Sequence, residues 1–176
     1  MPDRPPVSSF DDHDPQLLAV DVLHRLTGRG ETLATAESLT GGLVAAALTS
    51  ISGSSAVLRG GLVAYATDVK ADVLGVDADL IAVHTVVSSE VAGAMAAGAL
   101  TLFASTWAVS TTGVAGPERQ DDRPVGTVYV GVAGPAGPTP AAVTAEEFTL
   151  TGSREAIRAA TVVVALRVLL DRVAQA

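Results

Sequence analysis

The sequence predicts a three-layer α/β/α sandwich on a mixed, mostly parallel sheet of about five strands. Three observations predict it. Short aliphatic runs alternate with segments of helical apolar spacing through the first two-thirds of the chain. The last two aliphatic runs are joined through Gly and Pro and read as a hairpin. A hydrophobic content of 48% with only 3% aromatics gives the 176 residues enough Val, Leu, Ile and Ala for one buried core.

Taken in order, Met1–Ser9 is polar and proline-rich, and residues 1–14 are expected to form a disordered leader ahead of a single domain over 15–176. Asp14 as N-cap and Pro15 at the first helical position open a helix whose apolar positions run from Leu17 to Leu26 and which Gly28 and Gly30 stop. Thr32–Ala36 is a short buried strand ending at Glu37-Ser38. Thr40 then opens a helix that passes through Gly41 and Gly42 to about Ser50. A second strand covers Gly61–Tyr65. Thr67 or Asp68 caps a short helix to Leu74, and Asp77 starts another that ends near His84. Ser88 caps a long helix with its stripe at Val91, Met95, Ala96, Ala99, Leu102 and Phe103. Trp107–Ser110, Thr127–Val132 and Ala142–Phe148 are the remaining strands, and Gly152-Ser153 precedes a last helix that runs almost to the C-terminus.

Composition narrows the function. The net charge is −8, of which residues 1–14 carry −3, leaving −5 for the rest. A phosphate-backbone ligand wants a basic stripe, so nucleic acid is not an expected partner. No apolar run is long enough to span a bilayer and no signal-peptide core is present, so a cytoplasmic protein without membrane contact is expected. Cysteine is absent, which removes disulfides, thiolate metal sites and Cys nucleophiles. His13, His24 and His84 show no HxH or HxxxH spacing, so no metal site is assigned. GxxxxGK[ST] and G-x-S-x-G motifs are also missing.

Three loops gather unusual residues, and in an open α/β sheet the loops beyond the strands' carboxyl ends share one crevice. In the first, Ser38 precedes Thr40, Gly41 and Gly42, whose backbone N–H groups could hold an anion or an oxyanion. A plain Ser/Thr N-cap explains Ser38 about as well. Lys70 is the only lysine beside ten arginines, and unlike arginine a desolvated lysine can lose its proton near neutral pH. Tyr65 stands five residues before it and could relay a proton or orient the amine. A solvated lysine with a half-buried tyrosine is the alternative. Thr67, three residues before Lys70, is a competing hydroxyl, ranked behind Ser38. The third loop, Thr112–Pro117, offers N–H groups and hydroxyls suited to phosphate or ribose, although a simple turn would look the same. Arg154 could pair with a phosphate or be a surface charge. Residues 119–123 read as a solvated, mobile loop.

These residues fall in a familiar order: Thr35–Gly42, Gly61–Tyr65, Lys70 with Leu74-Gly75-Val76, Val87–Ala92, Ser110–Pro117 and Pro124–Tyr129. Together they resemble the C-terminal domain of the CinA family, the nicotinamide-nucleotide amidohydrolases, over residues 15–174. The resemblance implies hydrolysis of the carboxamide of nicotinamide mononucleotide (NMN) to nicotinate mononucleotide and ammonia, with no cofactor or metal. It implies Ser38 as nucleophile, Tyr65 and Lys70 as its activating partners, and Glu37, Thr40, Gly41, Gly42, Thr112, Gly113 and Arg154 as substrate-binding residues. The chain departs from the family pattern at Leu39 (usually Cys), at Glu118–Asp122 (often Gly-rich) and at Ser153 (commonly Asp), the last two bearing on phosphate recognition. A homodimer is expected from the Ala/Val-rich helices. The rival reading is a non-catalytic nucleotide-binding module linked to competence or DNA-damage responses.

Overall fold

Strand β1 (Leu33–Glu37) is completely buried and sits inside the sheet, between β2 (Leu58–Val63) and β3 (Trp107–Gly113), parallel to both. The computed structural model describes residues 14–136 and 139–176. The expected leader therefore lies outside the described residues except for Asp14, whose carboxylate accepts from the Gln16 N–H and caps α1 (Pro15–Arg29).

The sheet is completed by β4 (Thr127–Ala136), antiparallel to β3, and β5 (Thr139–Thr149), antiparallel to β4, in the order β2-β1-β3-β4-β5. All strands but β4 thus run the same way, and the expected mixed, mostly parallel sheet of five strands is present. Its boundaries differ from the expectation. β4 and β5 are longer because Gly134 still pairs with Ala142 in the ladder, so glycine there is a ladder residue and not a turn. β2 starts three residues before the expected Gly61, and Tyr65 lies beyond its end.

Strand alternation sorts side chains by size. Leu33, Trp107, Val109, Val128, Val130 and Val132 pack with α1, α2 (Leu43–Thr49) and α6 (Arg154–Gln175) in one core. The other face carries Ala34, Ala36, Ala108 and Ser110, and α5 (Ser89–Leu102) lies on it with Val91, Met95 and Ala99 inward. Small residues on both sides let α5 approach closely: the Ser110 hydroxyl donates to the Ala92 carbonyl at 2.6 Å, and a Cβ on Gly131 would overlap that same carbonyl. The short helices α3 (Thr67–Asp72) and α4 (Ala78–His84) link β2 to α5. Among the described residues, no helix is long and apolar enough to cross a membrane.

The order of the strands positions the site. From β1 the chain leaves to its neighbour β2 through α2 on one face and reaches β3, on the other side of β1, through α5 on the opposite face. The two excursions part at the carboxyl ends of β1 and β3, which opens a crevice there.

Candidate active site

A cleft of about 470 Å³ occupies that crevice, lined by Ser38 after β1, by Tyr65, Thr67 and Lys70 around the start of α3, and by the 112–120 segment after β3. The volume lies in the usual range for small-molecule sites, roughly 300–1,000 Å³.

Ser38 is fixed by the sheet itself. Its N–H donates to the Thr111 carbonyl at 2.9 Å, which continues the β1–β3 ladder one residue past β1 and aims the next turn. That turn is not helical. α2 begins at Leu43, and Gly41 and Gly42 have φ of 61° and 98°, in the left-handed region. The glycines expected inside the helix are instead the turn before it, where positive φ is cheapest for glycine. The helix start is satisfied by Glu37, which is 1% exposed. Its carboxylate accepts from the N–H groups of Gly42 (2.9 Å), Val44 (3.0 Å) and Ala45 (2.8 Å). The Gly41 N–H goes to the Ser38 carbonyl at 3.1 Å. Gly41 and Gly42 therefore have no N–H to spare for an oxyanion, contrary to the expectation for this loop. Glu37, Thr40, Gly41 and Gly42 do not line the cleft; the Thr40 hydroxyl is buried against the Thr111 hydroxyl at 2.7 Å.

Lys70 is 2% exposed. Ala66 is the N-cap of α3, so Lys70 is the fourth helical residue, one position later than a Thr67 cap would place it. Its Nζ lies 2.7 Å from the Ala64 carbonyl, 3.2 Å from the Tyr65 carbonyl and 3.3 Å from Ser38 Oγ. Burial lowers its pKa from the ordinary lysine value by penalising the charged form. A neutral amine has two N–H donors and one lone pair. In that form the two carbonyls would take the donors and leave the lone pair for the serine hydroxyl, whereas a charged amine would donate to all three oxygens.

Tyr65 meets this amine through its main chain. Its side chain is 58% exposed, and its hydroxyl accepts from Arg154 Nη2 at 2.9 Å, while Arg154 Nη1 donates to the Gly116 carbonyl at 2.7 Å. Arg154, at the start of α6, so ties the second loop to the third across the cleft mouth. Thr112 and Gly113 line the cleft, but the Thr112 hydroxyl already donates to the Val86 carbonyl at 2.6 Å and anchors the segment after α4. Glu118 lines the cleft, and so do Arg119 and Gln120, read from sequence as part of a solvated loop.

The structure thus brings Ser38, Lys70, Tyr65, Thr112, Gly113 and Arg154 to one cleft. It adds Arg158, which the sequence reading passed over. Its Nε donates to the Leu39 carbonyl at 2.9 Å and its Nη2 to the Thr40 carbonyl at 2.8 Å. The signal was present: Arg154 and Arg158 are four apart and share a helix face.

Known proteins are similar to this chain. A family model of the CinA C-terminal domain matches residues 16–173. A CinA-like protein of Frankia casuarinae is 51% identical over 145 residues, covering 82% of this chain and 32% of that protein. A CinA-like protein of an Anaeromyxobacter species is 47% identical over 149 residues, covering 84% and 35%. The chain spans about a third of the length of these curated relatives. Among solved structures, a CinA superfamily protein of Klebsiella pneumoniae aligns with a TM-score of 0.87 at 33% identity, over 93% of this chain and 100% of that one. The competence/damage-inducible protein CihA of Agrobacterium tumefaciens aligns with a TM-score of 0.84 at 39% identity, over 90% and 95%. The matching residues run from α1 into the last turn of α6, and on that ground the chain belongs to the CinA C-terminal domain family.

Proposed function

We propose that the domain hydrolyses the carboxamide of nicotinamide mononucleotide, giving nicotinate mononucleotide and ammonia. The observation that carries this reading is the buried Lys70 amine, with its two carbonyl acceptors and Ser38 Oγ at 3.3 Å. A buried amine facing a hydroxyl is the arrangement that activates serine without histidine. Family membership supports the substrate class, and two guanidiniums at the mouth, Arg119 and Arg154, suit the single phosphate of a mononucleotide.

In the reaction, the neutral Lys70 amine takes the Ser38 proton as Oγ bonds to the carboxamide carbon, and the carbonyl π pair moves onto oxygen. The resulting ammonium then protonates the amide nitrogen. The C–N bond breaks, ammonia leaves and a nicotinyl ester remains on Ser38. Water, deprotonated by the same amine, attacks that ester, and the proton returns to Oγ as the acid departs. Acylation and deacylation each return Lys70 to neutrality, and no cofactor is consumed.

Ammonia release from NMN tests the reading. Ser38→Ala and Lys70→Ala are each expected to lower kcat by at least about 10³-fold, as for groups that act as a unit. Near-normal turnover by either variant ends the mechanism. Saturable NMN binding by calorimetry without any ammonia would return the domain to the class of nucleotide-binding modules.

A further inference from the structure

The donors that meet the developing oxyanion cannot be those of Gly41 and Gly42, which Ser38 and Glu37 already hold. The first turn of α2 is equally committed, since Leu43 N–H goes to the Thr40 carbonyl and those of Val44 and Ala45 to Glu37. Two N–H groups of the nucleophile turn have no partner among the described residues, those of Leu39 and Thr40. Thr40 is fully buried and lines no part of the cleft, whereas Leu39 is nearly buried and lines it. A buried N–H without an acceptor is costly and rare, and it marks a place where an absent acceptor fits.

Arg158 determines how these groups face. In a trans peptide the C=O of one residue and the N–H of the next point in opposite directions. By holding the Leu39 carbonyl at 2.9 Å, Arg158 turns the Thr40 N–H away from itself. By holding the Thr40 carbonyl at 2.8 Å, it fixes the following peptide, whose Gly41 N–H closes onto the Ser38 carbonyl. That contact in turn sets the peptide between Ser38 and Leu39, and with it the Leu39 N–H. Leu39 lines the cleft beside Ser38, and an N–H directly after a nucleophilic serine is a recurring oxyanion donor.

We propose that the Leu39 N–H group is the oxyanion donor of this turn, and that Arg158 is the positioning residue that aims it. The inference rests on Ser38 being the nucleophile, as the preceding reading holds, but not on NMN being the substrate. Arg158 touches no reacting atom. Its loss frees two carbonyls and lets both peptides rotate, so the barrier rises while substrate binding, made elsewhere in the cleft, stays.

The test compares wild type, R158M and R158K in two assays: ammonia release from NMN, and binding of pyridine-3-boronic acid, which forms a tetrahedral adduct with a nucleophilic serine. R158M is expected to lose about 10- to 100-fold in kcat with KM within about twofold, and to bind the boronic acid weaker by a similar factor. R158K, whose ammonium can reach the same carbonyls, is expected to recover part of both. If R158M does not fold, R158K carries the comparison, with an expected loss of about three- to tenfold in kcat at unchanged KM. Unchanged kcat in R158M overturns the proposal, as does a loss shared equally by KM and thermal stability that R158K does not recover. A wild type that releases no ammonia yet binds the boronic acid through Ser38, more weakly in R158M, removes NMN as substrate and sustains the oxyanion site. A wild type with neither overturns both.

Discussion

The Lys70 amine is buried and its pKa lowered, yet every hydrogen-bonding position on its nitrogen is filled by Ala64, Tyr65 and Ser38. Desolvation sets the direction of the shift, so under the proposed mechanism the limb of kcat/KM that reports this base is expected below the ordinary 10.5. NMN hydrolysis is expected to fall as pH is lowered through that limb, because only the neutral amine accepts the serine proton. The same shift is a stability statement. Between the folded pKa and the unfolded 10.5 the unfolded chain binds a proton that the folded chain does not, so stability rises with pH. Wild type should therefore gain on Lys70→Met as pH rises across that window in denaturant titrations; a constant gap would show an unshifted lysine. Tyr65 bears on activity differently. With its hydroxyl on Arg154 and its carbonyl on Lys70, Tyr65→Phe is expected to raise KM for NMN more than it lowers kcat. A loss confined to kcat would restore the proton relay expected from sequence.

At the scale of elements, the β1–α2 connection shows what a sequence conceals. The start of α1 was legible because its cap is local: Asp14 reaches the Gln16 N–H, two residues away, and Pro15 follows. The same holds for Ser88 and Ser153, each bonding an N–H three residues on. α2 is capped by a carboxylate at the end of the preceding strand, five to eight residues back, a distance at which no capping signal is read. Glu37 was picked out, and its cleft-facing role came from the resemblance; the structure gives its carboxylate to three amides. Glu37→Gln replaces one acceptor oxygen by an NH₂ facing those donors. It is expected to cost about 1–3 kcal/mol of stability, with a fall in kcat as the nucleophile turn loosens, read by chemical denaturation beside the ammonia assay. Arg158 was missed for a related reason: its spacing from Arg154 marks a shared helix face, but its partners are main-chain carbonyls more than a hundred residues away, which the sequence does not reveal.

For the whole molecule, the layer order, the sheet composition and the convergence of three loops were readable because they follow from alternating periodicity and the crossover rule. Strand ends were not, since glycines at 126, 131 and 134 look like punctuation but serve close approach in or beside β4. Gly131 is the clearest case. Gly131→Ala would drive a methyl into the Ala92 carbonyl, lift α5 from the sheet and break its bond to Ser110. A cost of about 1–3 kcal/mol is expected, seen as a fall in Tm of about 2–4 °C per kcal/mol for a domain this size. An unchanged Tm would mean that the two layers have slack. The layering also bears on redesign. The amine is aimed by carbonyls at the end of a strand, and the hydroxyl by a rung of the ladder. Neither alignment depends on which side chains stand at 64, 65 or 111. If the proposed amide hydrolysis holds, the walls at Val86, Val87 and Pro117 are where the cleft is expected to accept recutting for larger or smaller carboxamides while Ser38 and Lys70 keep their aim.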